Sequence, residues 1–178
     1  MNILVTGGSG FVGGYVFRYF QEQGYSVKNF DIYGDESDID FIKGSILDFE
    51  AIKKTIFEND ISVVFHFAGF SNINKVKASP RECIDLNILG TTNILEASRL
   101  KGKTSIILAS SVYVHSKHGH LYTTSKVAAE RILEDYSSLY NMNSNIIRLG
   151  TVYGEMSRHE DVVSIFAKKV SNKESISI

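Results

Sequence analysis

The first 31 residues combine an apolar run, a glycine-rich turn, an amphipathic stretch and an acid, in that order. The apolar run Asn2–Thr6 is typical of a buried parallel strand. The glycines of the turn Gly7–Gly13 allow a close approach of the backbone to a phosphate. The helix that follows would point its N–H groups and its positive dipole end at that anion. Asp31 lies about 20 residues further on, where a carboxylate can accept hydrogen bonds from ribose hydroxyls. This order predicts a dinucleotide site.

The glycine spacing fits two related patterns. Gly8, Gly10 and Gly13 match G-x-G-x-x-G, and Gly7, Gly10 and Gly13 match G-x-x-G-x-x-G. The alternative is a glycine turn in another βα unit that holds no ligand, but Asp31 at a strand end would then be a coincidence. A P-loop is disfavoured because no Gly-Lys-Ser/Thr follows the turn.

Composition excludes several classes of protein. With 178 residues, 43% of them hydrophobic and 22% charged, the chain can bury one substantial core. Its formal net charge of −1 does not favour nucleic acid or an anionic membrane surface as a partner. Cys83 is the only cysteine, which fits a reducing cytoplasm and no internal disulfide. Neither Cys83 nor the loop histidines His115, His118 and His120 predict a metal site.

Apolar runs alternate with helical patterns, which predicts an α/β fold: a Rossmann-type, doubly wound parallel sheet flanked by helices. We expect ligands at the carboxyl ends of its strands. The predicted strands are Asn2–Thr6, Ser26–Asp31, Asp40–Gly44, Ile61–Ala68, Thr104–Ser110, Asn145–Leu149 and Ser175–Ile178. The predicted helices run from Phe11 toward Gly24, from Asp48 to about Asn59, and over Arg81–Lys101, Tyr122–Tyr140 and Asp161–Ser171.

A tyrosine and a lysine open one of these helices. The i, i+4 spacing of Tyr122 and Lys126 places them on one helical face. A nearby ammonium stabilises a phenolate and so lowers the pKa of a phenol, which suits a tyrosine to proton transfer. Ser110 and Ser111 end the preceding strand, where a hydroxyl can bond a substrate oxygen or simply cap the backbone. Together these residues predict a Ser/Tyr/Lys triad.

The chain resembles the extended short-chain dehydrogenase/reductase family, the NAD-dependent epimerase/dehydratase group typified by UDP-glucose 4-epimerase. The similar segments occur in the family's order and cover essentially the whole chain. They are Thr6–Gly13, His66–Gly69, Asn87–Glu96, Ser110–Tyr113, Tyr122–Lys126 and Arg148–Gly154.

The resemblance implies roles for individual residues. Ser111, Tyr122 and Lys126 would be catalytic, in a reaction that moves a hydride and a proton on a nucleotide-activated sugar. Asp31 would favour NAD over NADP, because a 2′-phosphate would meet its carboxylate. The cofactor NAD would be held by Gly7, Gly10, Phe11, Val12, Gly13, Asp31, Ser45, Ile46, Ala68, Gly69, Asn87, Tyr122 and Lys126.

The resemblance also implies a homodimer, with helices Arg81–Lys101 and Tyr122–Tyr140 forming a four-helix interface. Four departures from the family pattern concern the cofactor or the substrate. Ser45 replaces an aspartate that usually contacts adenine, and Thr151 replaces an asparagine that often touches the nucleotide-sugar. The loop between Ser111 and Tyr122 is short. An Asp-Glu pair typical of dehydratases is absent from it, which disfavours dehydration.

The fourth departure is the end of the chain at Ile178, since relatives continue into a substrate-binding region. We therefore expect residues 1–178 to form an NAD-binding Rossmann domain, with the C-terminal substrate region absent or truncated. An NAD-dependent sugar-nucleotide epimerase or reductase is the first interpretation. The alternatives are an oxidoreductase acting on a small non-nucleotide carbonyl or alcohol, and a catalytically incomplete NAD-binding module.

Overall fold

The architecture is a single six-stranded parallel sheet with helices on both faces. In the computed structural model, which describes residues 1–116, 120–155, 157 and 162–176, the strand order is β3-β2-β1-β4-β5-β6. The order reverses between β1 and β4, which is the doubly wound pattern predicted from the sequence. The strands are β1 (Asn2–Thr6), β2 (Ser26–Asp31), β3 (Phe41–Lys43), β4 (Val63–His66), β5 (Ser105–Ser111) and β6 (Ser144–Leu149).

The helices connect successive strands. They are α1 (Phe11–Glu22), α2 (Phe49–Glu58), α3 (Pro80–Ile84), α4 (Thr91–Lys101), α5 (Leu121–Tyr140) and α6 (Val162–Ser171). A π-helical turn, Asp85–Gly90, joins α3 to α4, and short 3-10 turns cover Ile73–Lys75 and Val112–His115. Among the described residues, no helix is long and apolar enough to span a membrane.

Two apolar layers sandwich the sheet. On one face, strand residues such as Leu4, Val64 and Leu108 pack against α2, α4 and α5, and Leu133 of α5 is fully buried there. On the other face, Ile3, Val5 and Val27 pack against Phe17 of α1. Alternate residues of each strand therefore point into opposite layers, so both faces of the sheet are covered. Burial of apolar side chains on both faces stabilises the central strands of the sheet.

Local signals in the sequence account for the helix ends. The Asp48 carboxylate accepts a hydrogen bond from the Ala51 N–H at 3.0 Å and caps α2, as expected. Gly102 ends α4 with φ +72°, a conformation that a residue with a Cβ rarely adopts. His120 caps α5 because its Nδ1 accepts from the Thr123 N–H at 3.3 Å, and the helix begins at Leu121.

The structure corrects the prediction in two places. The expected single helix from Arg81 to Lys101 is interrupted by the π-helical turn, in which the Asn87 carbonyl accepts a hydrogen bond from the Thr91 hydroxyl at 2.7 Å. The expected last strand is not found at Ser175 and Ile176, and its final two residues lie outside the described part, as do Asp161 and His118.

Candidate active site at the carboxyl ends of the strands

The glycine-rich turn lies where the strand order reverses, between β1 and α1. Gly7 has φ +76°, and a Cβ there would come within 2.6 Å of the Ala68 backbone nitrogen. A Cβ at Gly13 would clash with the Gly7 carbonyl oxygen. Helix α1 is capped by Gly10, which has no side chain that could accept from the first N–H groups of the helix. The backbone here forms a shallow cradle suited to an anion.

Asp31 ends β2 beside this cradle. Its Oδ2 accepts a hydrogen bond from the Ser9 N–H at 3.1 Å, and its Oδ1 accepts from the Ile32 N–H at 2.7 Å. A carboxylate has about four acceptor positions, and Oδ1 also accepts from the Tyr33 N–H at 3.4 Å, so Asp31 can accept from one further hydroxyl, of a ligand, at Oδ2. Asn29 supports the same turn by donating to the Ser9 hydroxyl at 3.0 Å. The predicted ribose-binding acid is thus adjacent to the turn through Ser9.

Ser45 and Ile46 lie just after β3, where Ser45 is partly exposed and Ile46 is buried. The Ser45 hydroxyl accepts a hydrogen bond from the Leu47 N–H at 3.2 Å. The Ile46 side chain is buried in the core, and its carbonyl accepts from the Asn93 amide at 2.9 Å. A Cβ at Gly90 would meet the Ile46 side chain at 2.5 Å. Any contact of Ile46 with a ligand would therefore be made by its backbone.

The segment after β4 is held by one asparagine. Asn87 accepts from the Phe70 N–H at 2.8 Å and donates to the Phe70 carbonyl at 3.1 Å and to the Ser125 hydroxyl at 2.9 Å. Gly69 adopts φ +153°, and a Cβ there would lie 2.6 Å from the Asn87 amide oxygen. Ala68 donates its N–H to the Thr6 carbonyl at 2.9 Å. Asn87 thus ties the β4 loop to α5.

The predicted tyrosine–lysine pair lies on the inner face of α5. Tyr122 is buried in a small apolar cluster with Phe70, Val76 and Cys83. Lys126 donates its ammonium to the Ala109 carbonyl of β5 at 3.1 Å. Burial lowers the pKa of Lys126 to about 8, although the nearby Cys83 and Glu130 groups oppose that effect. The ammonium therefore sits at the carboxyl edge of the sheet, one helical turn from the Tyr122 ring.

The two serines at the end of β5 face opposite sides of the sheet. Strand alternation places Ser110 on the face of Leu108, toward α5, and Ser111 on the other face. The Ser111 hydroxyl accepts from the Tyr113 N–H at 3.3 Å and can still donate its own proton. The buried Ser110 hydroxyl lies against Glu130 without a well-aligned hydrogen bond.

A buried histidine joins the end of β1 to the start of α4, and its role was not predicted. His66 is 2% exposed, and its Nδ1 lies 2.7 Å from the Thr6 hydroxyl while its Nε2 lies 3.1 Å from the Thr91 hydroxyl. Because Thr91 donates to the Asn87 carbonyl, its oxygen accepts from Nε2–H, and Nδ1 accepts from Thr6. Burial, and then the Lys126 charge, lower the pKa of His66 to about 3.

A buried acid on α5 was also missed. Glu130 is 6% exposed, and it accepts two hydrogen bonds from Arg148 of β6, from Nε at 3.0 Å and from Nη2 at 2.7 Å. The signal that reveals it is spacing: Tyr122, Lys126 and Glu130 recur every four residues and share one face of the helix.

The order of these features along the chain can be compared with known proteins. The model of the NAD-dependent epimerase/dehydratase family matches residues 3–178. The chain belongs to this family. Within the family, the chain is 30% identical to a UDP-glucuronate 4-epimerase of Thermodesulfobacterium geofontis, over 98% of this chain and 63% of that protein.

Solved structures of family members share the fold. The UDP-glucose 4-epimerase of Thermotoga maritima, crystallised with UDP-glucose, superposes with a TM-score of 0.87 at 27% identity, over 100% of this chain and 65% of that chain. The UDP-glucose 4-epimerase of Thermus thermophilus, crystallised with NAD, superposes with a TM-score of 0.84 at 26% identity, over 99% of this chain and 64% of that chain. The chain thus spans just under two thirds of the length of these family members.

Proposed function

We propose that this chain is the NAD-binding portion of a nucleotide-sugar epimerase, and that Ser111, Tyr122 and Lys126 act on the sugar. The observation that carries the proposal is the Tyr122–Lys126 pair, held on one face of α5 at the edge of the sheet that also carries the glycine cradle. Membership of the epimerase/dehydratase family supports it. A UDP-sugar is the substrate class named for the similar epimerases.

The residues of the cradle fit a dinucleotide. Gly7, Gly10 and Gly13 leave no Cβ over the turn, α1 begins directly after it, and Asp31 keeps an acceptor position beside it. We propose that Phe11 and Val12 offer backbone N–H groups to the pyrophosphate. Ser45 and the backbone of Ile46 would flank the adenine, and Ala68 and Gly69 would leave room for the middle of the cofactor.

Bound NAD would supply reversible hydride transfer to and from a sugar carbon. The protein's own contribution is proton handling and orientation. The Tyr122 oxygen, as the phenolate, accepts the proton of a sugar hydroxyl, and the phenol so formed later returns that proton. The Lys126 ammonium, fixed by the Ala109 carbonyl, stabilises the negative charge that forms on the tyrosine oxygen. The Ser111 hydroxyl donates to the same substrate oxygen and fixes its direction. Asn87 holds the loop that carries Gly69 and thereby the floor of the site.

The Tyr122→Phe variant, which lacks the phenolic hydroxyl, tests the reaction. The NAD-loaded protein is incubated with a panel of sugar nucleotides, and the epimers are resolved by the anomeric signals of proton NMR. Tyr122→Phe should abolish turnover while leaving the NAD dissociation constant within about twofold, because the ring and its packing remain. Tyr113→Phe, an exposed tyrosine just after β5, is the matched control and should turn over normally.

The outcome separates the interpretations. Turnover by Tyr122→Phe at the wild-type rate would contradict the proton-transfer role. Oxidation or reduction of small carbonyls and alcohols, with no change of any sugar nucleotide, would favour the non-nucleotide oxidoreductase. NAD binding without turnover of any kind would favour a catalytically incomplete NAD-binding module. This alternative is considered because the chain matches just under two thirds of the length of the similar epimerases.

We further propose that residues 1–178 form one NAD-binding Rossmann domain and that the protein acts as a homodimer. Support for the dimer comes from apolar side chains that stay exposed on the helices of the proposed interface. Leu89 and Leu100 are 49% and 44% exposed near α4, and Leu139 of α5 is 72% exposed. Exposed large apolar groups at neighbouring helices are typical of surfaces that pair.

A further inference from the structure

The face of α5 that carries Tyr122 and Lys126 continues one turn further to a buried acid. Glu130 forms an ion pair with Arg148 of β6, and Arg148 lies opposite Ser110 in the parallel register of β5 and β6. The guanidinium binds both carboxylate oxygens, at 3.0 Å and 2.7 Å. Such a two-bond fork fixes direction as well as distance, unlike a single contact between flexible side chains. The pair therefore joins the helix to the edge strand of the sheet.

The same stretch of sheet holds the lysine. Lys126 bonds the Ala109 carbonyl, and Ser110, the next residue of β5, faces Glu130. Two consecutive strand residues thus receive two side chains that lie one helical turn apart on α5. A rotation or slide of the helix would break both contacts together.

We propose that Glu130 is a positioning residue: through Arg148 it fixes α5 on β5 and β6, and so sets where the Lys126 ammonium stands relative to Tyr122. The proposal rests on the proposed function only in naming Tyr122 and Lys126 as the groups that are positioned. It assigns to Glu130 and Arg148 no contact with substrate or cofactor.

The charges around the pair give the proposal a measurable consequence. Facing Lys126 are Cys83 from α3 and Glu130 from its own helix, and both oppose the lowering of its pKa by burial. His66 of β4 also feels its charge. Burial would raise the pKa of Glu130, but Arg148, Ser110 and the charge of His115 lower it, so that it stays below its usual value. Glu130 is therefore a fixed anion on the same helical face as Lys126.

The experiment follows the titration of Lys126 itself. Lysine labelled with ¹³C at Cε is incorporated into the full chain, and the Lys126 signal is identified by its absence in Lys126→Met. In Glu130→Gln the anion is lost while the shape is kept, so Lys126 should titrate at a lower pH than in the wild type. In Arg148→Gln the opposing cation is lost, so Lys126 should titrate at a higher pH. Glu134→Gln is the matched control on the same helix.

The control is the same kind of ion pair, but its acid is exposed, whereas the Glu130 side chain is 7% exposed. Glu134 pairs with Arg131 at 2.7 Å, but their side chains are 47% and 77% exposed. Glu134→Gln should leave the pH at which Lys126 titrates unchanged, since exposed ion pairs are strongly screened by solvent and salt. If Glu130→Gln does not fold, Arg148→Gln carries the test, because an unchanged or lowered titration there would also overturn the proposal.

A second readout distinguishes positioning from stability. With NAD and a sugar nucleotide that is turned over, Glu130→Gln should lower kcat about tenfold with little change in KM, as expected for a displaced catalytic group. The pH above which activity declines should also be lower for Glu130→Gln than for the wild type. A lower melting temperature with the same kcat and the same Lys126 titration would overturn the proposal. If the titrations move in opposite directions but no sugar nucleotide reacts, the positioning stands and the proposed function fails.

Discussion

The buried His66 should make the stability of the fold fall steeply in mild acid. Its ring is 2% exposed, and both nitrogens are satisfied in the neutral form by Thr6 and Thr91. Burial, and then the Lys126 charge, lower its pKa from 6.5 to about 3. The unfolded chain therefore binds a proton at a pH where the folded chain does not. Stability that is present above pH 6.5 is lost as the pH falls toward about 3.

The size of the effect follows from the two pKa values. Between about pH 7.5 and about pH 5, protonation of the unfolded state alone removes about 2 kcal/mol of folding free energy. At neutral pH, His66→Gln removes two buried hydrogen bonds and leaves two hydroxyls without their partner, at a cost of about 2–3 kcal/mol. Near pH 5 the wild type has already lost about 2 kcal/mol of folding free energy through protonation of the unfolded state. The same substitution should therefore cost less than about 1 kcal/mol there.

Urea unfolding followed by circular dichroism measures both free energies at each pH. Groups common to the two proteins cancel in the difference, which isolates His66. His115→Gln, which alters an exposed histidine, is the control for the substitution itself. A cost of His66→Gln that stays the same from about pH 7.5 to about pH 5 would refute the reasoning, because it would mean that the imidazole is not held neutral.

Three further predictions concern the cofactor, a cap and the assembly. Asp31→Ala should weaken NAD binding and narrow the preference against NADP, measured by fluorescence titration with both reduced cofactors; unchanged selectivity would remove Asp31 from the ribose role. Asp48→Ala should cost about 1 kcal/mol in urea unfolding, since it leaves the Ala51 N–H without its acceptor, and a change below about 0.3 kcal/mol would contradict the cap. Sedimentation at micromolar concentration should give a dimer, and a monomer would count against the helical interface.

The local architecture could be predicted from the sequence because it depends on neighbours along the chain. The glycine-rich turn and Asp31 mark one βα unit, and alternating apolar runs predict the parallel sheet and its flanking helices. The i, i+4 spacing is enough to place Tyr122 and Lys126 on one face of a helix. These features need only the period of the helix, the conformational freedom of glycine and the burial of apolar strands.

The tertiary structure decided which distant groups meet. Residues that are far apart in sequence, His66 with Thr6 and Thr91, and Glu130 with Arg148, touch only because the strand order brings β1 beside β4 and β5 beside β6. No local pattern encodes such a pairing, since the energy of a buried polar group depends on a partner supplied by another element.

The π-helical turn has the same origin. An apolar pattern that suits a helix from Arg81 to Lys101 does not show that Asn87 is drawn toward Phe70 and Ser125, or that its carbonyl is bonded by Thr91. By itself the sequence determined that a dinucleotide-type βα unit begins the chain and that a tyrosine and a lysine share a helical face. Tertiary packing alone decided the depth of His66, the pairing of Glu130 with Arg148, and the anchoring of Lys126 on Ala109, because each depends on contacts between separate elements of the fold.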